Sequence, residues 1–265
     1  MKELNFISPL QISLDTLIKD NLYKILNVSD PYYENMLKTF ELLEKYELKY
    51  MIHTVLNKNN SSISDINSLI DFLSTKKYLV RWGIDPAKCS MYIGTPYSSY
   101  KAPDDKIKEI EDYIIALKNK KHFPFEVSEP SVSRDINTYS IEDKKRIFEN
   151  RNLCSANLNA LYILPDGKVT ICEELYWHPR FLLGDLHDQS IEDIWNSEKA
   201  KNLFFLKQSD IQDSSPCKTC EDFSTCKKYL HTCWRNTILA YGADKWDYPD
   251  IFCPKAPFVK NTVYI

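Results

Sequence analysis

No apolar run long enough to cross a membrane (~18 residues) occurs in this 265-residue chain. A membrane partner is therefore not expected. The opening stretch MKELNFISPLQISLD has one lysine before an acidic residue, and Asn5, Ser8, Pro9 and Gln11 break its apolar character. It does not read as a secretory signal. Basic blocks are missing too: 34 Lys and Arg stand against 37 Asp and Glu, so no cationic face for nucleic acid is expected. Internal repeats and low-complexity segments are absent. Glycine is scarce, at 5 residues, and tyrosine plentiful, at 17; neither points to a function. Eight cysteines in 265 residues lie far below the density of a secreted disulfide scaffold. The expected location is the cytoplasm, where thiols stay reduced and clustered cysteines read as ligands or catalysts. The length allows one large domain or two modest ones.

What is present is an ordered cysteine array. Seven of the eight cysteines fall within the last 112 residues: Cys154, Cys172 five residues after Gly167, Cys217-x-x-Cys220-x₅-Cys226, Cys233 and Cys253. No single tetrahedral site uses seven thiolates, whereas two cuboidal clusters of up to four would. The Cys217/Cys220/Cys226 spacing suits a [4Fe–4S] cube or a tetrahedral zinc. Zinc sites commonly repeat the C-x₂-C step, and here it occurs once. Both metals stay open on spacing alone. Cys89, isolated after Asp85-Pro86, reads either as a partly buried inert thiol or as a group at a strand's C-terminal end, where barrel chemistry sits.

The first 130 residues alternate strand and helix patterns, the mark of α/β architecture. Strands are expected at Leu10–Leu14, Tyr50–Leu56 and Tyr78–Ile84. Helices are expected from Pro31 to Leu43, after a Ser64 cap through Leu73, and from Pro103 to Lys121. The last has acids at its start and lysines at its end, as the helix dipole favours. Residues 131–152 read as a linker with a short helix, Ser140 and Asp143 pairing at its start. From 153 on, Leu161–Leu164 and Lys168–Cys172 flank Pro165-Asp166-Gly167 as a β-hairpin. Helices are expected to start at Ser190 and Ser197. His53 reads as a core histidine, and His178 and His187 as surface groups or groups behind the metal ligands. Tyr176, Trp177, Phe181, Trp195 and Trp234 are expected to pack around the metal.

The array, with Gly184-Asp185-Leu186 and Ser190-Ile191-Glu192-Asp193-Ile194-Trp195-Asn196 between its halves, resembles the SPASM domain appended to radical SAM enzymes. Ile12-Ser13-Leu14-Asp15 resembles the I-S-L-D segment of the fourth barrel strand of those enzymes. The resemblance implies a partial, three-stranded radical-SAM-type parallel β/α barrel over residues 1–130, followed by a small α+β SPASM-like domain over 153–265. The family's C-x₃-C-x₂-C loop, which holds the cluster that cleaves S-adenosylmethionine, is not in this sequence. The chain therefore resembles the C-terminal part of such an enzyme and is not expected to cleave S-adenosylmethionine alone.

Carried over by position, the resemblance implies two auxiliary [4Fe–4S] clusters. Cys217, Cys220, Cys226 and Cys253 would hold the outer one. Cys154, Cys172 and Cys233 would hold the inner one, with Glu173, His178, water or a substrate atom on its fourth iron. The family's usual fourth cysteine of the central group falls here on Leu230. Cys233 either takes that place after a three-residue insertion or is noncoordinating. Ser13 and Asp15 would face the cofactor, or they cap the following helix. No catalytic residue is assigned. The implied activity is radical modification of a peptide or protein, S-adenosylmethionine entering only if the missing barrel half is supplied, as by a second polypeptide. An electron donor would be a further partner. The alternative from another class is a noncatalytic peptide- or partner-binding module stapled by iron–sulfur or zinc.

Overall fold

The computed structural model describes residues 8–91, 96–120, 122–151, 154–156, 158–229 (backbone alone at 227–229), 232–259 and 263. The chain divides into two compact units. One runs to Cys89 and resumes up to Ser133; the other takes Ser90 and Met91 and continues from Arg134.

The first unit is a parallel sheet with helices between its strands. Its elements are β1 (Leu10–Ser13), α1 (Lys19–Leu26), α2 (Asp30–Lys45), β2 (Tyr50–Leu56), α3 (Ile63–Leu73), β3 (Leu79–Pro86), α4 (Asp104–Lys120) and β4 (Glu126–Ser128). The strands pair in chain order and all in parallel, with Leu10 opposite Tyr50 and Arg81 opposite Glu126. Alternation along β2 sends Tyr50, Ile52, Thr54 and Leu56 inward. There they meet Leu69 and Leu73 of α3, Trp82 of β3 and Ile110 and Ile114 of α4, as the period-2 and period-3.6 patterns require.

Three expectations change here. The sheet has a fourth strand, β4, where the sequence suggested a loop; a single apolar residue, Val127, between Glu126 and Ser128 is too short an alternation to read. The α1 helix was not anticipated; it has eight residues, about two turns, too few for its period to stand out. The α3 helix is capped by Ser62 rather than Ser64. Ser62 Oγ accepts the Asp65 N–H at 3.1 Å and donates to the Asp65 carboxylate at 2.6 Å. Asp65 is also held by Thr16 and Asn21, a network that fixes the cap two residues earlier. Lys121, the expected end of α4, lies outside the described residues.

The second unit contains α5 (Ile141–Asn150), an antiparallel sheet of β5 (Tyr162–Ile163), β6 (Lys168–Thr170) and β7 (Leu182–Asp185), then α6 (Ile191–Trp195), α7 (Glu198–Phe204), α8 (Phe223–Tyr229) and α9 (Trp234–Tyr241). The hairpin, and the helix starts at Ser140, Ser190 and Ser197, are as the sequence indicates. Each of those serines accepts a backbone N–H three residues on. β7 escaped the sequence reading because Gly184 and Asp185, both poor strand formers, occupy half of it. Val169, Ile171, Phe181, Leu183, Ile194 and Trp234 form the main core. Ile147 and Phe148 of α5 pack on a smaller core of Ile136, Ala240, Ile251 and Phe252.

The hairpin turn depends on Gly167. Its φ is +81°, and a Cβ there would lie 2.6 Å from His187 Cε1; His187 is itself held by Asp185 at 2.7 Å. Gly167→Ala is expected to cost at least ~1–2 kcal/mol from the left-handed backbone alone, plus displacement of His187. Hydrogen exchange of the β5 and β6 amides reads this directly, and unchanged protection would mean that the turn is not built this way.

Candidate metal centre

Four of the predicted ligands line one hollow. Cys217, Cys220, Cys226 and Cys253 surround a cavity of about 230 Å³, walled by Phe148, Phe223 and three prolines. The C-x-x-C segment is fixed from outside. Gln208 Nε2 donates to the Cys217 carbonyl at 3.1 Å and to the Cys220 carbonyl at 2.9 Å. The buried Ser215 hydroxyl accepts the Cys217 N–H at 3.2 Å and donates to the Asp247 carbonyl at 3.0 Å. Cys226 enters on α8, its N–H donating to the Asp222 carbonyl at 2.8 Å; Cys253 closes the ring from a turn on Asp250.

Positive charge flanks these sulfurs. Arg151 Nη2 lies 3.9 Å from Cys226 Sγ, and Lys255 Nζ 3.9 Å from Cys220 Sγ. Lys255 is also paired with Asp222 at 2.7 Å. Burial pushes the Cys253 thiol up, opposed by the Lys255 N–H and reinforced by Cys226, Asp250 and Cys220. A bound cation reverses that tendency by holding the sulfurs as thiolates.

The other three predicted ligands, Cys154, Cys172 and Cys233, lie within electrostatic reach of one another. Burial, then proximity to Cys233, Glu173 and Cys154, pushes the Cys172 thiol up to about 11, opposed by the Glu174 N–H. Burial also pushes up Cys233, which feels Cys154 and accepts the Asn236 N–H. Cys172 is carried past the end of β6 by the hairpin and Cys233 stands at the start of α9. Cys89, in the first unit, is half-buried. Leu230 lies outside the described residues.

Among the described residues, no three His, Cys, Asp or Glu side chains form a group that could hold a single metal ion. The thiols instead ring a hollow. Four thiols around a hollow are compatible with a polynuclear sulfide cluster, whose irons sit apart from one another.

Several expected roles are revised. His178 is no candidate for the fourth iron: Nε2 is bonded to the Ala243 carbonyl at 3.0 Å and Nδ1 accepts the Arg180 N–H at 3.3 Å. Glu173 stays close to Cys172, and both raise the Tyr162 phenol after burial. Phe181 and Trp234 pack in the core, but Tyr176, Trp177 and Trp195 are exposed, so the aromatic set is not a common shell. His53 is not a core residue: it sits on the half-open face of β2 and bonds Asp85 at 2.9 Å. Neither Ser13 nor Asp15 caps α1, which starts from Ile18 with no side-chain cap. The Asp15 carboxylate instead accepts the Val55 N–H at 2.8 Å, tying the end of β1 to β2. Burial raises it above the usual carboxylate range, opposed by Val55 and His53. Gln208, Ser215, Arg151 and Lys255 were not legible in sequence, since no spacing links them to the cysteines they support.

Residues 154–221 match the SPASM family, an iron–sulfur cluster-binding domain. The match takes in Cys154, Cys172, Cys217 and Cys220. No curated protein matches the chain. The solved structure of SuiB from Streptococcus suis bound to S-adenosylmethionine is similar at a TM-score of 0.56 and 16% identity, over 92% of this chain and 53% of SuiB. A second SuiB structure gives the same score over 54% of that chain. The protein anSMEcpe with bound AdoMet aligns at a TM-score of 0.45 and 16% identity, over 92% of this chain and 64% of its own. The chain thus spans about half the length of SuiB. Residues 154–221 resemble an iron–sulfur cluster-binding domain, and the α/β fold of the chain is like that of SuiB.

Proposed function

We propose that this chain supplies the auxiliary-cluster part of a radical SAM enzyme that modifies a peptide or protein, and that it holds two [4Fe–4S] clusters. Cys217, Cys220, Cys226 and Cys253 hold the outer cluster with full thiolate coordination. Cys154, Cys172 and Cys233 hold the inner one, leaving one iron for Glu173, solvent or a substrate atom. The observation that carries this reading is the convergence of four of the seven thiols on one hollow. The clusters supply electron transfer or a binding point for substrate. The protein's own part is to fix the sulfurs through Gln208 and Ser215, to balance their charge with Arg151 and Lys255, and to keep water out with Phe148 and Phe223.

SuiB is described with S-adenosylmethionine bound. For this chain, S-adenosylmethionine binding requires the preceding barrel strands and the C-x₃-C-x₂-C loop, from the same or another polypeptide, with Ser13 and Asp15 then facing the cofactor. An electron donor completes the system. Iron, acid-labile sulfide and zinc per chain, with the visible spectrum, test the metal content in protein purified without oxygen. About eight irons and eight sulfides are expected for two cubane clusters. Zinc without sulfide would leave a stapled binding module instead.

A further inference from the structure

Away from the cysteines, the second unit has an open hollow of about 410 Å³ lined by Pro179, Arg180, Lys199, Asn202 and Leu203. Two of these five residues are cations, and none is acidic. The Arg180 guanidinium lies flat over the Trp246 ring, 3.4 Å from its centroid. This contact holds the group in place. Among the described residues its buried Nε has no hydrogen-bond partner. Buried donors are seldom left so.

Lys199 is positioned as well: its Nζ donates to the Pro179 carbonyl at 3.0 Å. Burial and then the Arg180 charge hold this ammonium below its ordinary value, and burial does the same to Arg180. Asp247 and Asp210 lie within electrostatic reach of Arg180, but both are otherwise committed. Asp247 accepts the Gln212 N–H at 2.6 Å, and Asp210 accepts the Lys207 N–H at 3.1 Å. The fold thus places two cations side by side, with no acidic side chain among the described residues that line the hollow.

From the orphaned Arg180 donor, the adjacent Lys199 and the acid-free lining, we infer a carboxylate-binding subsite that takes an acidic side chain of a peptide. A planar carboxylate fits a guanidinium edge in a two-point hydrogen bond, and the ammonium adds a third contact. The donors are side chains rather than the backbone N–H cradle typical of phosphate sites. Pro179 and Leu203 offer apolar contact to the stem of a glutamate. That the ligand is a peptide rests on the function proposed above; the anion site does not.

The test is calorimetric titration of the full chain, purified without oxygen, with acetyl-Ala-Glu-Ala-amide, its Gln counterpart and inorganic phosphate. Saturable binding of the Glu peptide is expected, with none for the Gln peptide. Arg180→Gln and Lys199→Gln should each weaken it about tenfold or more, as loss of a charge-assisted contact implies. Lys199 is exposed, so that variant keeps the test valid if the loss of Arg180 from Trp246 disturbs folding. Absence of saturable binding, wild-type affinity in both variants, or tighter binding of phosphate would each overturn the subsite. Iron content is read on the same samples. Peptide binding by a protein that holds no iron would leave the subsite standing and overturn the cluster reading. A fully loaded protein that ignores the peptide would do the reverse.

Discussion

Replacing Cys220 with alanine is expected to remove about half of the bound iron while leaving the rest, on the proposal that the four-thiol set and the three-thiol set hold one cluster each. Cys220 lines the hollow with Cys217, Cys226 and Cys253, and Lys255 lies 3.9 Å from its sulfur. Alanine leaves three thiols around the hollow and an ammonium with no sulfur to balance. Ligand binding and folding share one free energy in such sites, on the order of 10 kcal/mol for a complete structural metal site. Losing the outer cluster should therefore also loosen the segment between Ser215 and Asp250. Cys172→Ala should remove the other half of the iron and leave the outer cluster intact. Cys89→Ser should change neither. The readout is iron and sulfide per chain with the visible absorption of each variant. Unchanged iron in Cys220→Ala would overturn the outer ligand set. Complete loss in both variants would mean that the two groups do not fold around their clusters independently.

Much of this centre was legible because cysteine positions are chemistry written directly into the chain. Seven sulfurs in one order pointed to metal, the resemblance to the SPASM domain divided them into two ligand groups, and the four expected outer ligands line one hollow. The hairpin was legible for a similar reason: a left-handed turn needs glycine, and Pro165-Asp166-Gly167 announces it. What stayed hidden depends on contacts between residues far apart in sequence. Gln208 reaches two carbonyls 9 and 12 residues away, and Ser215 meets the carbonyl of Asp247, 32 residues on. No local pattern marks either. The same holds in the first unit, where Asp65 gathers Thr16 and Asn21 across more than 40 residues and moves the start of α3 to Ser62. Short elements were the other loss. β4 has three residues and β7 four, below the length at which alternation rises above chance. Exposure was misjudged for Trp195 and Trp177, because an aromatic residue in sequence does not say which way its backbone faces.

The first unit offers the other large expected effect, at Trp82. This side chain is fully buried at the centre of the parallel sheet. Its indole N–H donates to Thr54 Oγ1 at 2.9 Å, and the Thr54 hydroxyl donates onward to the Leu14 carbonyl at 2.6 Å. One chain of hydrogen bonds thus runs from β3 through β2 to the end of β1, where Asp15 takes the Val55 N–H. Trp82→Ala should cost ~3–5 kcal/mol, combining lost burial with a cavity that Ile110 and Leu69 cannot close. That is a large share of the ~5–15 kcal/mol that keeps a domain folded. Trp82→Phe keeps most of the volume and removes the donor, so its cost should be nearer ~1–2 kcal/mol. A single unfolding midpoint would mix the two units, so local hydrogen exchange is the better measurement. Amides of β2 and β3 should exchange about two to three powers of ten faster in Trp82→Ala, at ~1.4 kcal/mol per tenfold. Phenylalanine should give roughly one power of ten. Equal effects of the two substitutions would mean that the hydrogen-bond chain, rather than packing, holds these strands together. Protection unchanged in both would mean that Trp82 is not at the centre of this core.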